Sequence, residues 1–598
     1  MGRYLLGILV LLKYCICGDV QDFDGDIKDF VVGNSKLFVL TDHRLHQMRR
    51  DLYEEKRKDI TRVNILVPFD ANGTLIMCGT FEDVYCEVLD INDITNSVYY
   101  ESNILVGPRQ KDKSVAFIAG RFLLFGKKDG DATAQGNRYS VVSLWNTLQS
   151  QQGGIFSRIA EVSYAIIQST VRDVVFVDGF QRVSPSESYF FLNTETDNER
   201  KVVVLWMNSA KEKKMDIIKS LQSATIRCCS DKVRPVLVAC TVIPSVNGVI
   251  WAGVFSAQNQ QDPENSALAL YDISNVQGRV KGFCAYDENP CGSESGRELQ
   301  PLSVVFKYSS MSAVAAVRIG SWIVLFIGTS DGQLIKLMLD DKFTPGCPIV
   351  LYKSDDERAV LPRMHFDPVD FKHIYIALKK QLRRVSVVPC AKYRILKDCR
   401  AAVDPLCGWC VNTLRCSTQD ECSKSSWVST PKNSLQEMLF SFQVGAEKSS
   451  SKITLHLSLS LESTGNPTFS CTFTTGSVKL CDGSDLNAIF PNCYCSFSDQ
   501  LLSTGGLKIS AEVALGDQKF TERLELKNCL NIKDNSSSAS YTQCVQCISA
   551  GCHWSSSSQR CDWANGPGPQ LKIQDACDVN VKTNYEVSVI PNTEGFAL

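Results

Sequence analysis

For about 370 residues, from Asp19 to Pro389, apolar runs of strand length alternate with turn residues. "KLFVLTD" (Lys36–Asp42), "VAFIAGRFLLFGKKDG" (Val115–Gly130), "DVVFVDG" (Asp173–Gly179), "KVVVLWM" (Lys201–Met207), "SWIVLFIGTSDGQLIKLML" (Ser321–Leu339) and "HIYIALKKQLRRVSV" (His373–Val387) are examples. Strand–turn–strand at this spacing, with few helical periods, restricts the region to a sandwich, a barrel or a propeller. The region is too long for one sandwich. A propeller blade takes about 40–50 residues, so seven blades fit the length. No crisp repeat motif is visible, and the expectation is a mainly β fold with a seven-bladed β-propeller.

The N-terminus, "MGRYLLGILVLLKYCICGD", has Arg3, a short apolar run at Tyr4–Leu12, then small residues at Cys15, Cys17 and Gly18. That order is a secretory signal peptide over residues 1–18. As a membrane anchor the run is too short, and Lys13 interrupts it. Met1-Gly2 lacks the Ser/Thr of a myristoylation site. No later run approaches the length of a membrane helix, so the chain as written reads as secreted whole. Sequons at Asn72 and Asn535 are candidate glycosylation sites in that compartment.

Export changes how the 26 cysteines read. In an oxidising compartment they should pair. Without Cys15 and Cys17, 24 remain: eight before Pro389, six in Cys390–Cys422, four in Ser429–Leu526 and six in Cys529–Cys577. Every segment has an even count, as closed disulfide sets would give. The two dense clusters flank a Ser/Thr-rich β stretch.

The first cluster holds Cys407-Gly-Trp-Cys410 within "VDPLCGWCVNTLRC" (Val403–Cys416). A C-x-x-C can run thiol–disulfide exchange, hold half a zinc site, or supply two structural half-cystines. Exchange needs the motif at the opening of a helix in a βαβ unit, which is not the context here. The C-x2-C-x5-C-x5-C spacing is not a tidy zinc spacing, and export favours disulfides over thiolate ligands. Structural cystine is the reading this leaves, with Trp409 as the body of a very small core.

Gly328-Thr-Ser-Asp-Gly332 matches G-x-S-x-G, but a nucleophile elbow needs a helix after the turn, and "QLIKLML" is strand-like. Ser330 therefore reads as part of a hairpin turn. His43, His46, His365, His373, His456 and His553 are scattered, and His43-x-x-His46 lacks remote ligands. No phosphate-binding loop, dinucleotide fingerprint or H-E-x-x-H is present. No catalytic residue, metal or cofactor is expected, and the chain reads as a non-enzyme. Net charge is -2, so no footprint for nucleic acid follows. The densest charge run, "RRDLYEEKRKD" (Arg49–Asp59), reads as a solvated helix or loop.

Several stretches carry a family resemblance. "CGTFEDVYCEVLDINDITN" (Cys78–Asn96) followed by "SVAFIAGRFLLFG" resembles the opening of a plexin sema domain, where a short cystine loop precedes a strand. "FIGTSDGQLIKLML" (Phe326–Leu339) is similar to a plexin strand pair, and "MHFDPVDFKHIYIALKKQLRRVSVVPCAKY" (Met364–Tyr393) to a last blade entering a PSI module. "DPLCGWCVNTLRCSTQDEC" and "QCVQCISAGCHWSSSSQRC" (Gln543–Cys561) resemble two PSI signatures. The stretch between them resembles an immunoglobulin-like IPT β-sandwich, and "VSVIPNTEGFAL" the first strand of another. The implied order is signal peptide 1–18, sema propeller 19–388, first PSI 389–428, IPT 429–528, second PSI 529–578, and the start of a second IPT at 579–598.

The resemblance also implies pairings. Cys78–Cys86 would close the short loop. PSI modules usually carry eight cysteines, paired first–fourth, second–eighth, third–sixth and fifth–seventh. Here the second module lacks the fifth, where Ser555 stands, and the seventh, leaving Cys529–Cys552, Cys544–Cys577 and Cys547–Cys561. The first module lacks the third, where Ala402 stands, and the eighth. Their partners Cys416 and Cys399 are expected to bond to each other beside Cys390–Cys407 and Cys410–Cys422. Pairing among Cys228, Cys229, Cys240, Cys284, Cys291 and Cys347, and among Cys471, Cys481, Cys493 and Cys495, is left open.

A plexin-like chain implies a semaphorin receptor ectodomain that binds a semaphorin-type protein through its propeller, or holds a homotypic contact between propellers. It implies no nucleic acid and no small-molecule substrate. The alternative is a secreted plexin-like decoy or ligand. The end inside an apparent IPT strand favours a chain cut from a longer cell-surface receptor. Growth-factor receptors of the hepatocyte growth factor type share the domain order but have one PSI module, so Cys544–Cys561 weighs against them.

Overall fold

The computed structural model describes residues 19–80, 84–102, 114–127, 138–147, 156, 164–243, 245, 248–257, 264–285, 297–356, 358–402, 404–422, 426–429, 440–446, 451–463, 465–502, 506–532, 540–555, 558 and 560–563. The expected signal peptide, Asn535, Cys291, Cys577 and the strand expected at 579–598 lie outside these residues. The chain divides into two compact units, Met1–Pro389 and Cys390–Leu598.

The first unit is a seven-bladed β-propeller. Seven sheets each begin with an innermost strand: β1 (Ile27–Val32), β2 (Val63–Phe69), β3 (Val115–Ala119), β4 (Arg172–Arg182), β5 (Val236–Ile243), β6 (Met311–Ile319) and β7 (Val360–Phe366). Each innermost strand packs against the next, and β7 packs against β1, so the ring closes. The chain then runs outward through antiparallel neighbours in every blade. A blade has another blade on each face, so its middle strands bury both sides. They therefore read as continuous apolar runs rather than alternating ones; Trp322–Thr329 is buried at all eight positions.

Blade 7 has only three consecutive strands. Its fourth is Val20–Asp22, paired antiparallel to Gln381–Ser386 with Val20 opposite Arg383. Gln381 Nε2 donates to Asp22 Oδ1 at 2.8 Å, and the Tyr375 hydroxyl donates to the Arg50 carbonyl at 2.8 Å. Arg363 on β7 donates to the Asp29 carboxylate on β1 at 2.7 Å. A second departure from simple succession follows the third strand of blade 5. There the chain returns to add Phe283–Ala285 to blade 3 and Glu298–Leu299, in parallel, to blade 4. Only then does Ser303–Tyr308 complete blade 5.

The charge run Arg49–Asp59 is neither helix nor loop throughout. Arg49–Tyr53 is a turn, and Glu54–Asp59 is the outermost strand of blade 1. An outer edge strand buries little of either face, so it carries no apolar alternation to betray it. Lys58 pairs with Glu87 and Lys56 with Asp93, both in blade 2.

The second unit opens with a small module containing β8 (Gly408–Cys410), Arg415–Ser417 and β9 (Trp427–Ser429). An immunoglobulin-like sandwich follows. One of its sheets holds β10 (Phe440–Ala446), Lys452–Leu459, Asn492–Ser498 and Leu486–Ile489. The other holds Val478–Lys479, Phe469–Thr475, Leu507–Leu515 and Gln518–Leu526. Strict alternation of buried and half-buried positions along Lys452–Leu459 shows one face on the core. A second small module has the helix Ser540–Ser549 and the hairpin His553–Ser555 with Arg560–Asp562.

Lys336, fully buried in blade 6, donates from Nζ to the Val387 carbonyl at 2.8 Å. This ties down the last residues of the propeller. Lys336→Met keeps the apolar stem and strands that carbonyl, at a cost of about 1–3 kcal/mol. The expected result is a lower unfolding midpoint with faster hydrogen exchange at Val387; an unchanged midpoint would show the bond to be idle.

Candidate functional site

In the first small module Cys407 is bonded to Cys390, Cys410 to Cys422, and Cys399 to Cys416. The two cysteines of CGWC thus face different partners. Sγ atoms of Cys390, Cys407 and Cys416 all lie within 4.8 Å of one another. That trio has the closeness of a metal site, but each sulfur is committed to a cystine and offers no thiolate. Trp409 is 1% exposed and forms the body of the core. A Cβ on Gly408 would come within 2.3 Å of the Trp427 ring, so the position admits no side chain. Trp427 Nε1 donates to the Ser417 carbonyl at 3.1 Å.

Both small modules are fastened to the sandwich through backbone. β9 pairs with Glu462–Ser463, Val428 opposite Ser463. The buried Arg400 donates from Nε to the Ser460 carbonyl at 3.2 Å, and burial brings its guanidinium down to about 10. On the other side Val444 N–H of β10 donates to the Gly551 carbonyl at 2.9 Å. Gly551 has φ +77°, and a Cβ there would meet the Phe442 ring at 2.8 Å. The position thus needs glycine for conformation and for space. Cys529–Cys552 and Cys547–Cys561 staple the second module. Cys544 is also a half-cystine; its expected partner Cys577 is outside the described residues. In the sandwich, Cys471–Cys493 joins the two sheets and Cys481–Cys495 lies beside it.

In the propeller, Cys78–Cys86 joins directly opposed residues of neighbouring strands in blade 2. Cys228 is bonded to Cys229, and Cys284 is a half-cystine. Full pairing does not hold: Cys240 and Cys347 are free. Even parity is compatible with two unpaired thiols, and Cys240 is held on β5, buried, with Sγ 4.0 Å from the Asp178 carboxylate. Burial and that carboxylate push its thiol well up, away from the reactive thiolate. Cys347 is exposed.

The other singled-out residues stay apart. Ser330 is exposed in the turn between Trp322–Thr329 and Gln333–Leu339. His43 and His553 are exposed. His46 lies 3.2 Å from Glu54, His373 lies 2.7 Å from Asp370, and His456 stacks on Tyr494 at 4.5 Å. His365 packs edge-on to Phe30 at 5.1 Å, with Nε2 buried and unpartnered. Burial, with the charge of Arg363, brings it down to about 4. Asn72 is exposed at the tip of a turn before Thr74–Thr80.

Sequence reasoning missed the axis. A cavity of about 850 Å³ is lined by Asp29, Asn64, Val115, Val177 and Arg363, residues of five innermost strands. A second, of about 670 Å³, shares Val177 and Pro362 with it and reaches β5. The hollow centre is polar and charged, but nothing in it forms a nucleophile–base pair among the described residues.

Residues 389–438 match the family signature described as PSI, plexin repeat. Plexin-C1 of Homo sapiens is 29% identical over 353 residues, which cover 56% of this chain and 21% of that protein. Plexin-C1 of Mus musculus is 29% identical over 347 residues, covering 55% and 21%. The chain thus spans about a fifth of the length of these relatives. Among solved structures, the full extracellular region of Plexin A4 superposes at TM-score 0.57 and 17% identity, covering 91% of this chain and 65% of that one. A chain from Drosophila Plexin A in complex with Semaphorin 1b superposes at TM-score 0.51 and 12% identity, covering 69% and 96%. In sequence the chain resembles plexins, and in fold it resembles the plexin extracellular region.

Thiol labelling separates the cysteines. Native protein should take a maleimide at Cys347, and at Cys240 only after denaturation, while the cysteines of CGWC take none in either state without a reductant. Label at Cys407 or Cys410 in unreduced protein would overturn the cystine assignment. Cys399→Ser with Cys416→Ser should cost about 2–4 kcal/mol in the unfolding of the second unit.

Proposed function

We propose that this plexin-type ectodomain binds a semaphorin-type protein ligand through its propeller, outside the cell, and carries no catalytic chemistry of its own. The observation that carries the reading is the combination of plexin-like sequence with a closed propeller, cystine module, sandwich and second cystine module in one chain. A Drosophila plexin with this fold has been solved with a semaphorin, which supports the ligand class. Twenty half-cystines among the described residues suit the extracellular space. The ring offers a rigid platform: its blades are buried face to face, so binding at rim or loops reorganises little.

The second unit suits a transmitting role. Its modules are too small to bury a large core, and cystines supply the stiffness. Backbone bonds to the sandwich at Ser463 and Val444 hold them as one piece. A homotypic contact between propellers belongs to the same reading. A net charge of -2 favours no nucleic acid.

The test is surface plasmon resonance of the secreted chain against a panel of semaphorin ectodomains. Saturable binding with Kd on the order of micromolar or tighter is expected for at least one member. Correctly folded protein that binds none of the panel would overturn the ligand assignment. The exposed Asn72 should carry an N-glycan, read as a mass loss on enzymatic deglycosylation that Asn72→Gln abolishes.

A further inference from the structure

Six of the seven innermost strands slip register with their neighbour close to their first residues. The slip falls at Lys28 on β1, at Asn64 on β2, at Val177 on β4 and over residues 361–363 on β7. All of these residues line the larger axial cavity, of about 850 Å³. A bulge frees a residue from its ladder and re-aims its side chain. The wheel is therefore loosened at one mouth of its axis, and the loosened residues share one hollow. Its volume suits a small organic molecule.

Three cations and two carboxylates line the hollow. Lys28 Nζ meets the Asp42 carboxylate at 2.8 Å, and Arg363 Nη1 meets that of Asp29 at 2.7 Å. Arg62 is the cation left over; its side chain is exposed, with no ion pair or hydrogen bond among the described residues. Two further donors stand close by on the same lining. Asn64 lies two residues along the strand, and Ser114 lies just before β3, which packs against β2. The Ser114 Oγ is buried and has no hydrogen-bond partner. Guanidinium, amide and hydroxyl thus converge without a protein acceptor, and the charge count leaves room for one added negative charge. We propose that this mouth of the axis binds a small monocarboxylate, its carboxylate against Arg62, Asn64 and Ser114 and its apolar body against Val115, Phe176 and Leu361.

The backbone that presents Arg62 is fixed from beneath. Thr80 N–H donates to the Arg62 carbonyl at 3.1 Å, and the Tyr85 hydroxyl donates to the Thr61 carbonyl at 2.8 Å. A Cβ on Gly79 would meet the Arg62 carbonyl at 2.7 Å, so the strand beneath admits no side chain there. Arg62 itself has φ +45°, in the left-handed region that a residue with a side chain adopts at a cost. Its side chain makes no ion pair or hydrogen bond that would offset the strain. A held turn that spends conformational energy on an uncommitted cation is the arrangement expected of a ligand clamp.

The chemistry selects the ligand class. A guanidinium with two neutral donors beside it matches the paired oxygens of a carboxylate. A phosphate dianion would bring a second negative charge close to Asp29 and Asp42 with no cation to meet it. A neutral molecule would leave Arg62 and the buried Ser114 hydroxyl as they are. The apolar wall asks for a hydrocarbon body, since water against it gains nothing from the polar end. The hollow holds no nucleophile–base pair among the described residues, so the carboxylate is bound and not transformed. The site is separate from the rim and loops assigned to a protein ligand, and its occupancy is measurable without one.

The experiment titrates octanoate into the full chain by calorimetry, with octanol and inorganic phosphate as comparison probes. Saturable octanoate binding is expected with Kd on the order of a millimolar or tighter. Octanol should bind more weakly, and phosphate at the same concentration should not displace octanoate. Arg62→Gln keeps the length of the side chain without its charge and should weaken octanoate about tenfold or more, with the unfolding midpoint unchanged. Should Arg62→Gln fail to fold, Asn64→Asp sets a carboxylate against that of the ligand and should abolish octanoate binding while octanol is unaffected. No octanoate binding, octanol binding as tightly, displacement by phosphate, or an octanoate affinity that neither variant changes would each overturn the site. So would a loss of affinity that only tracks a loss of stability.

Discussion

Everything in the first unit depends on the last blade finding the first. An open row of blades would leave two apolar faces and a bare strand edge in water. The chain closes the row by placing Val20–Asp22 as the fourth strand of blade 7. The closing contacts join residues far apart in sequence: Asp22 with Gln381, Asp29 with Arg363, Arg50 with Tyr375. No local segment can form them early, so ring formation is a late, non-local event that rewards the chain only once all seven blades are in place. Once closed, every blade is supported on both sides. This is why the middle strands can be apolar on both faces without an aggregation hazard.

The second unit solves a different problem. Its end modules have too little chain to bury a core, and sulfur replaces area. Trp409 and Trp554 are each nearly sealed, and five half-cystines share the Trp554 core with Ile532, Ile548 and Ala550. Covalent closure also tolerates loss of individual pairs. In the first module the two cysteines that the resemblance leaves without their usual partners, Cys399 and Cys416, are bonded to each other. The sandwich between the modules follows ordinary rules, with an inter-sheet cystine and alternating strands. The joints are made by backbone at Ser463 and Gly551, and close approaches at Gly516 and Gly551, where a Cβ would strike Val411 or Phe442, keep the pieces tight.

Legibility followed burial. The middle strands of the blades and the module cysteines could be read directly, because continuous apolar runs and dense cysteines have few other uses in an exported chain. Outer strands could not. Glu54–Asp59 exposes much of both faces, so its sequence obeys solubility and not packing. The return of Phe283–Ala285 and Glu298–Leu299 to blades 3 and 4 is a choice of partner, and strand propensity says nothing about partners. The free state of Cys240 was equally hidden. Parity counts thiols but not the distances between them. The axial charges failed for a related reason: a strand pattern places Asp29 and Arg363 in strands, but does not show that the two strands meet at one axis.

That asymmetry explains why the interior of the fold is legible in the sequence and its rim is not. Interior positions answer to packing constraints that any closed wheel of strands shares, so a Trp251 stacked on Phe191 at 4.4 Å identifies an architecture. On the function proposed above, ligand choice falls to the opposite population. Val98 and Tyr100 are each 59% exposed on the outermost strand of blade 2, and Tyr53 is 63% exposed on a turn of blade 1. Such residues contribute little to folding, so no internal constraint fixes them. A rigid interior is what frees them: because the ring holds its shape without their help, rim residues can change to suit a partner at little cost in stability.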